Sequence, residues 1–425
     1  MRPQPDRVGD LPRRSQLFAP ERALSRFSDD AIAMLLTLRR TLHQHPELSN
    51  AEHATADLLA AQLAAAGVRD IRRVAGTGVV ARVPGRDPSA PVVAVRGDID
   101  ALPIAEDTGL SFASVNPGIM HACGHDVHAT WAVGAALDLL REPAEGDVLI
   151  VLQPAEEIGA GASALLASGA LDDVAAIFGG HVDRRFVVGE VIAEPGPLAA
   201  SADSFTITLR GQGAHGARPH EADDPIVAAA AVIMALQTVV ARRIDPSRPA
   251  VCTVGSVHAG VASNVIPDRA TLTGTLRAMD AATRARLVTE MIRIATAVAE
   301  SHGVVATVEV EHGTPPIVNP QREAAWAREA VASVLGDAAV IPFGITNMGG
   351  EDFAFYMERM PGCFLRFGAR EPGGPTTAAH SPQFDVAEGA IFVGAAVLAE
   401  CARTASRHLA LLNRGRHLAP LAESA

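Results

Sequence analysis

The chain has 425 residues, and all 36 of its basic side chains are arginine, so lysine is absent. Schiff-base catalysis, pyridoxal phosphate attachment and P-loop phosphate binding each need a lysine amine and are excluded. A formal net charge of -12 with 4% aromatic residues argues against nucleic acid, which asks for clustered cations and stacking rings, and against an anionic membrane surface.

Hydrophobic residues at 48% and charged residues at 20% describe a globular protein, and the length exceeds what one core serves, so two domains are expected. Residues 1–26 carry six arginines and several prolines with no apolar stretch behind them; they read as a disordered leader and not as a secretory signal. Ala54 to Ala66 fits a helix that stops at Gly67, and Val79 to Val83 and Val92 to Arg96 fit buried strands. A helix follows Asp126, then the strand Val148 to Leu152, a short helix at Ala162 to Ala167 and the strand Val174 to Phe178. This alternation predicts an α/β fold, a mostly parallel sheet with helices on both faces.

Near Leu198 the rhythm changes. Ser204 to Arg210, Val251 to Val257, Ala270 to Arg277 and Val304 to Glu311 read as strands, with helices at Pro225 to Ala241 and Ala281 to Ala299. That order, βαββαβ, predicts an inserted ferredoxin-like domain over 199–312. The α/β pattern resumes from Pro315, with helices at Arg322 to Leu335 and Gly389 to Arg403, so 27–198 and 313–406 form one discontinuous domain and 407–425 a frayed tail. The longest apolar run, Ile226 to Leu236, is far short of the ~20 residues of a membrane span. The four cysteines (Cys123, Cys252, Cys363, Cys401) show no disulfide framework, and cytoplasmic residence is the expectation.

The densest chemical constellation is His121-Ala-Cys-Gly-His-Asp-Val-His128. Alternate residues of an extended loop point the same way, so Cys123 and His125 could bind a borderline-soft ion such as zinc; a buried cysteine beside a helix start is the equally open alternative. Asp98 and Asp100, Glu156 and Glu157, and His181 each sit just past a different strand. In open parallel sheets the pocket lies outside the carboxyl ends of the strands, so these groups meet at one edge. If one glutamate of the adjacent pair binds a metal, the other can take a proton from a metal-bound water as it attacks a carbonyl.

Eight ordered motifs then carry a resemblance: Leu42-His-Gln-His-Pro-Glu-Leu48, Arg96-Gly-Asp-Ile-Asp-Ala-Leu-Pro103, Met120-His-Ala-Cys-Gly-His-Asp126, Gln153-Pro-Ala-Glu-Glu157, Asn264-Val-Ile-Pro-Asp268, Gly274-Thr-Leu-Arg277, Glu351-Asp-Phe353 and His380-Ser-Pro382. Together, from about Phe27 to Glu400, they resemble the M20 metallopeptidase family in its amidohydrolase branch of hippurate hydrolases, aminoacylases and auxin-conjugate hydrolases. The resemblance implies two divalent metal ions per subunit, with Cys123 bridging, His125 and His181 on one ion, Glu157 and His380 on the other, and Glu156 as general base. Zinc is the first expectation; manganese, nickel and cobalt suit the same ligands.

It further implies a lid and dimerisation role for the inserted domain. His215 would stabilise the oxyanion in the partner's site, and Asn264 and Arg277 would hold the substrate's polar end, an arginine fork suiting a carboxylate. Asp98 stands where the wider family has a histidine ligand, so Asp98 and Asp100 read as carboxylates that orient a ligating histidine. Gly180 replaces a commoner larger apolar residue, which would loosen the loop carrying His181. His43 and His45 read as structural, His128 as supporting or solvent-facing, Cys252, Cys363 and Cys401 as core, and Tyr356 as pocket wall. The expected reaction is hydrolysis of an N-acyl amino acid by a homodimer paired through the lid, with a dipeptidase or carboxypeptidase and a non-catalytic conjugate-binding protein as alternatives.

Overall fold

The computed structural model describes residues 19–418. In chain order the helices are α1 (Ala19–Leu24), α2 (Asp29–Gln44), α3 (His53–Ala65), α4 (His125–Arg141), α5 (Gly161–Ala167), α6 (Pro225–Arg243), α7 (Ala281–Ser301), α8 (Gln321–Leu335), α9 (Ala354–Met357) and α10 (Gly389–Leu418). The strands are β1 (Asp70–Val74), β2 (Gly78–Val83), β3 (Val92–Asp98), β4 (Val148–Gln153), β5 (Val174–Val187), β6 (Val191–Ile192), β7 (Gly196–Ala199), β8 (Asp203–Arg210), β9 (Ala214–His215), β10 (Ala250–Ala259), β11 (Val265–Ile266), β12 (Arg269–Ala278), β13 (Val305–Glu311), β14 (Ile317–Asn319) and β15 (Gly362–Arg370).

A seven-stranded sheet has the order β1-β2-β4-β3-β5-β15-β6. Its central strands β4, β3, β5 and β15 run parallel, and the flanking pairings are antiparallel. Strand β4 is buried along its whole length because both faces are covered: Ile150 and Leu152 pack with α4 and α10, while Leu149 and Val151 pack with α5 and α9 on the other side. An all-apolar strand is what two-sided burial requires.

A second sheet, β10-β12-β8-β13, is antiparallel throughout. Its own core is closed by α6 and α7 through Ala228, Val232, Leu236, Leu287 and Met291. The alternating burial of β8, with Asp203, Phe205, Ile207 and Leu209 inward, is the period-two signature of a sheet covered on one face.

The ends are more ordered than the sequence suggests. Residues 1–18 of the expected leader lie outside the described residues, but Ala19–Leu24 is helical with Ala23 fully buried, and Arg26 pairs with Glu400 at 3.1 Å and Asp138 at 3.3 Å. The expected frayed tail is helix to Leu418, tied by Arg407 to Glu329 at 2.7 Å and Arg414 to Glu145 at 2.9 Å; residues 419–425 lie outside the described residues. By length and composition α6 and the 389–414 stretch of α10 could cross a membrane, a test that the short run of uninterrupted apolar residues does not meet. The most apolar 18-residue window of that α10 stretch is almost wholly buried within the protein, and α6 lays one face on the second sheet.

Candidate metal centre

The carboxyl ends of β3, β4 and β5 point to one edge, as strands of an open parallel sheet do. Asp98 closes β3, Glu156 and Glu157 follow β4 by three and four residues, and Arg366 of β15 pairs in register with His181 of β5. His181 thus stands inside a strand and not on a loop. Gly180 is packed: a Cβ there would sit 2.5 Å from the Phe367 ring, so the expected loosening is not found.

Cys123 and His125 do face one site, but through a turn and not through extended alternation. Gly124 between them has φ 91, a conformation that glycine adopts without strain, and α4 begins at His125. Two other site positions hold unfavourable backbone: Ala155, just before the glutamate pair, has φ 53 and His380 has φ 65. Non-glycine residues in this region persist where surrounding contacts over-determine them. Here Ala155 N–H donates to buried Glu52 at 2.9 Å and His380 N–H to the Ala122 carbonyl at 2.7 Å.

Cys123 Sγ lies 3.2 Å from His181 Nε2, and His380 Nε2 lies 3.4 Å from Glu157 Oε2. His125 Nε2 is 3.8 Å from Glu157 and 3.9 Å from Glu156. The donor atoms of Cys123, His125 and His181 lie within 4.8 Å of one another, and so do those of Cys123, Glu157 and His380. Two triads therefore share the cysteine sulfur.

The tautomers follow from the other ring nitrogens. His125 Nδ1 faces two acceptors, the Asp100 carbonyl at 2.9 Å and its carboxylate at 3.2 Å, and His181 Nδ1 faces the Val182 carbonyl at 2.6 Å. Both Nδ1 atoms must carry a proton, so in the neutral, metal-binding form of each ring the Nε2 lone pair turns into the cluster. His125 Nε2 and Glu157 Oε1 are buried with no hydrogen-bond partner. A lone pair and a carboxylate oxygen that no donor satisfies fit a cation.

The charge balance fits as well. Burial, then Glu351 and Asp352, pushes Glu156 well above the ordinary carboxyl range; burial also raises Glu157 and, with Glu157 adding, the Cys123 thiol. Asp352 is raised to about 7, by burial first. Bound divalent charge would reverse these shifts and free thiolate and carboxylates to act as ligands. A third possible group, Asp98 with His125 and His128, is less open, since Asp98 already meets Arg96 at 2.5 Å and His128 at 2.6 Å.

Asp100 touches His125 directly, while Asp98 works one contact further out. His128 Nδ1–H donates to Asp98 and its Nε2 accepts from Val182 N–H at 3.0 Å, so this fully buried ring clamps the backbone beside His181. His43 is also buried, between Asp126 at 2.9 Å and Glu106 at 3.2 Å. Cys363 and Cys401 are core and Cys252 is half-buried. Tyr356 is a correction: it is fully buried, donates to Gln153 at 2.9 Å and does not line the cavity.

A cavity of about 850 Å³ opens on the cluster, lined by Cys123, Glu156, Glu157, His181 and His380 together with Arg277. Asn264 and His215 are elsewhere, exposed on the β9–β11 ribbon, where Val265 pairs with His215 and Gly216 N–H donates to the Asn264 carbonyl at 2.8 Å. Four residues given no role from sequence also stand at the site: Arg96, Glu351 and Asp352 form a buried ion network at 3.0 to 3.1 Å, and Arg366 lines the cavity. An arginine inside the otherwise apolar stretches of β3 and β15 was the available signal.

Comparison with known proteins gives the family. Peptidase family M20/M25/M40 matches residues 94–404. The chain is 40% identical over 372 residues to the N-acetylcysteine deacetylase of Bacillus subtilis (strain 168), covering 87% of this chain and 96% of that one. It is 38% identical over 382 residues to the IAA-amino acid hydrolase ILR1-like 5 of Arabidopsis thaliana, covering 88% and 87%. A solved Bacillus subtilis structure, a dinuclear metal-binding peptidase from the M20 family, superposes with TM-score 0.79 at 36% identity, covering 89% of this chain and 99% of that one.

Proposed function

Since the chain belongs to the M20/M25/M40 peptidase family and is a hydrolase of amide bonds, we propose that it cleaves N-acyl amino acids to a carboxylic acid and a free amino acid. The observation that carries this reading is the pair of donor triads sharing Cys123, with Glu156 beside them. Cys123, His125 and His181 would hold one divalent ion, and Cys123, Glu157 and His380 the other. Such ions lower the pKa of water and polarise a carbonyl oxygen.

The chain's own groups do the rest. Glu156 takes the proton of the attacking water and returns it to the amide nitrogen as the C–N bond breaks, so the hydroxyl stays on the acyl carbon and the amine leaves protonated. Arg277 holds the α-carboxylate with its fork. The second sheet with α6 and α7 acts as a lid, pairs two copies of the chain, and delivers His215 and Asn264 to the partner's site. The deacetylase and the amino acid hydrolase among the relatives support the substrate class, and the peptidase keeps dipeptides as the competing one.

In Glu156→Gln the amide keeps the shape but cannot accept the proton. Metal content by elemental analysis should be unchanged while turnover falls by roughly 100-fold or more; full activity in the metal-loaded variant sinks the assignment. Parallel assays with N-acetyl-alanine and alanyl dipeptides separate the acylase from the dipeptidase.

A further inference from the structure

Arg366 stands apart from the other cations of the catalytic cavity. It lies on β15, in register with His181, and lines the cavity while only 7% of it is exposed. Among the described residues it makes no ion pair and no side-chain hydrogen bond, and its Nε is buried without a partner. Its guanidinium rests 5.6 Å from the Phe364 ring centroid. The acidic groups around it are committed elsewhere: Asp183 takes the fork of Arg185 at 2.5 and 2.8 Å, and Glu351 takes Arg96 at 3.1 Å.

A buried guanidinium without a counter-ion is a cost to the fold. Cations held by Cys123 and His181 would raise that cost, because they add positive charge on the same side. The missing negative charge has to come from what enters the cavity. Arg277 already provides for one carboxylate. We propose that Arg366 binds a second substrate carboxylate, so that the preferred N-acyl amino acids carry an acid group beyond the α-carboxylate, either on the acyl chain or on the amino-acid side chain. This rests on the amidohydrolase reading above.

The two sources are separated with N-succinyl-alanine and N-acetyl-glutamate, compared with N-acetyl-alanine on metal-loaded enzyme. One dicarboxylic substrate should exceed N-acetyl-alanine in kcat/KM by about 10-fold or more, chiefly through KM, since buried charge-assisted forks discriminate on that scale. In Arg366→Met that preference should fall by about 10- to 100-fold, and Arg366→Lys should restore part of it. No preference in the wild type, or a preference that survives Arg366→Met, overturns the proposal.

Calorimetric titration with succinate, using acetate as the reference, gives a readout independent of turnover. Succinate should bind at least 10-fold more weakly to Arg366→Met than to the wild type. If no N-acyl amino acid is hydrolysed but succinate binding still depends on Arg366, the amide reading fails and the anion site stands; hydrolysis without that dependence removes the anion site alone. Should Arg366→Met prove unfolded by its melting curve, the wild-type substrate ratio and Arg366→Lys decide the matter.

Discussion

Asp100 touches three groups at once. Its carboxylate accepts from His125 Nδ1–H at 3.2 Å, from the Ser49 hydroxyl at 2.7 Å and from Glu157 N–H at 3.0 Å, so one buried side chain aims two proposed ligands on different elements. In Asp100→Asn the new amide NH₂ would face one of these donors, and two donors cannot share a hydrogen bond. Metal affinity, measured by competition with a chromogenic chelator, should weaken by about 10- to 100-fold. Unchanged affinity would show that Asp100 is a spectator. His128 acts by the same logic through Val182, although it has no place in either triad.

At the scale of elements, the join between the two sheets is held by Asp203, the first residue of β8. It accepts both arms of Arg284 on α7, at 2.9 and 2.6 Å, and Gly313 N–H at 3.2 Å, just after β13. Ala202 N–H also donates to the Thr314 carbonyl at 2.9 Å, so the entering and leaving strands are bonded where they pass. Burial opposes the charge on Asp203, but the Arg284 fork outweighs it and the carboxyl is held below its usual range. A depressed carboxyl contributes stability that is full above the unfolded pKa of about 4 and is lost as pH falls through the lower folded value. Asp203→Asn should therefore cost about 1–3 kcal/mol at pH 7, with the gap to the wild type constant down to about pH 5 and closing below about pH 4. Urea melts at several pH values test this; a gap that widens in acid contradicts it.

For the whole molecule, the position of His215 is decisive. It does not line its own chain's cavity, so the proposed oxyanion role needs a second copy. The second sheet offers a surface for one: β10 is an edge strand, and α6 leaves Ile226, Val227 and Met234 exposed, the last at 72%. Apolar groups of this kind mark contact surfaces, and a self-complementary face favours a twofold dimer. Equal mixing of His215→Ala with Glu156→Gln should then restore about a quarter of wild-type activity, because half of the re-formed dimers carry one intact composite site. No recovery, with subunit exchange demonstrated by a mass tag, would count against His215 acting across the dimer.

Much of this was legible in the chain itself, and the reason is local. The runs of β4 and β5 and the βαββαβ order write their periodicity into the chain, and contiguous residues such as Cys123 with His125 or Glu156 with Glu157 need only a turn to meet. What folds at a distance was not legible. His380 reaches the cluster through a left-handed residue and a bond to Ala122, and nothing in its spacing from His181 implies that; motif resemblance alone supplied it. Arg96 gathers Glu351 and Asp352 from more than 250 positions away, and Tyr356 turned inward because Gln153 offered its hydroxyl a partner. By itself the sequence determined which elements form and which side chains bear chemistry, since both depend on neighbours along the chain. Tertiary structure alone decided which charges are paired: Arg96 finds carboxylates in the closed core, and Arg366, one sheet position from His181, is buried beside carboxylates that other arginines hold.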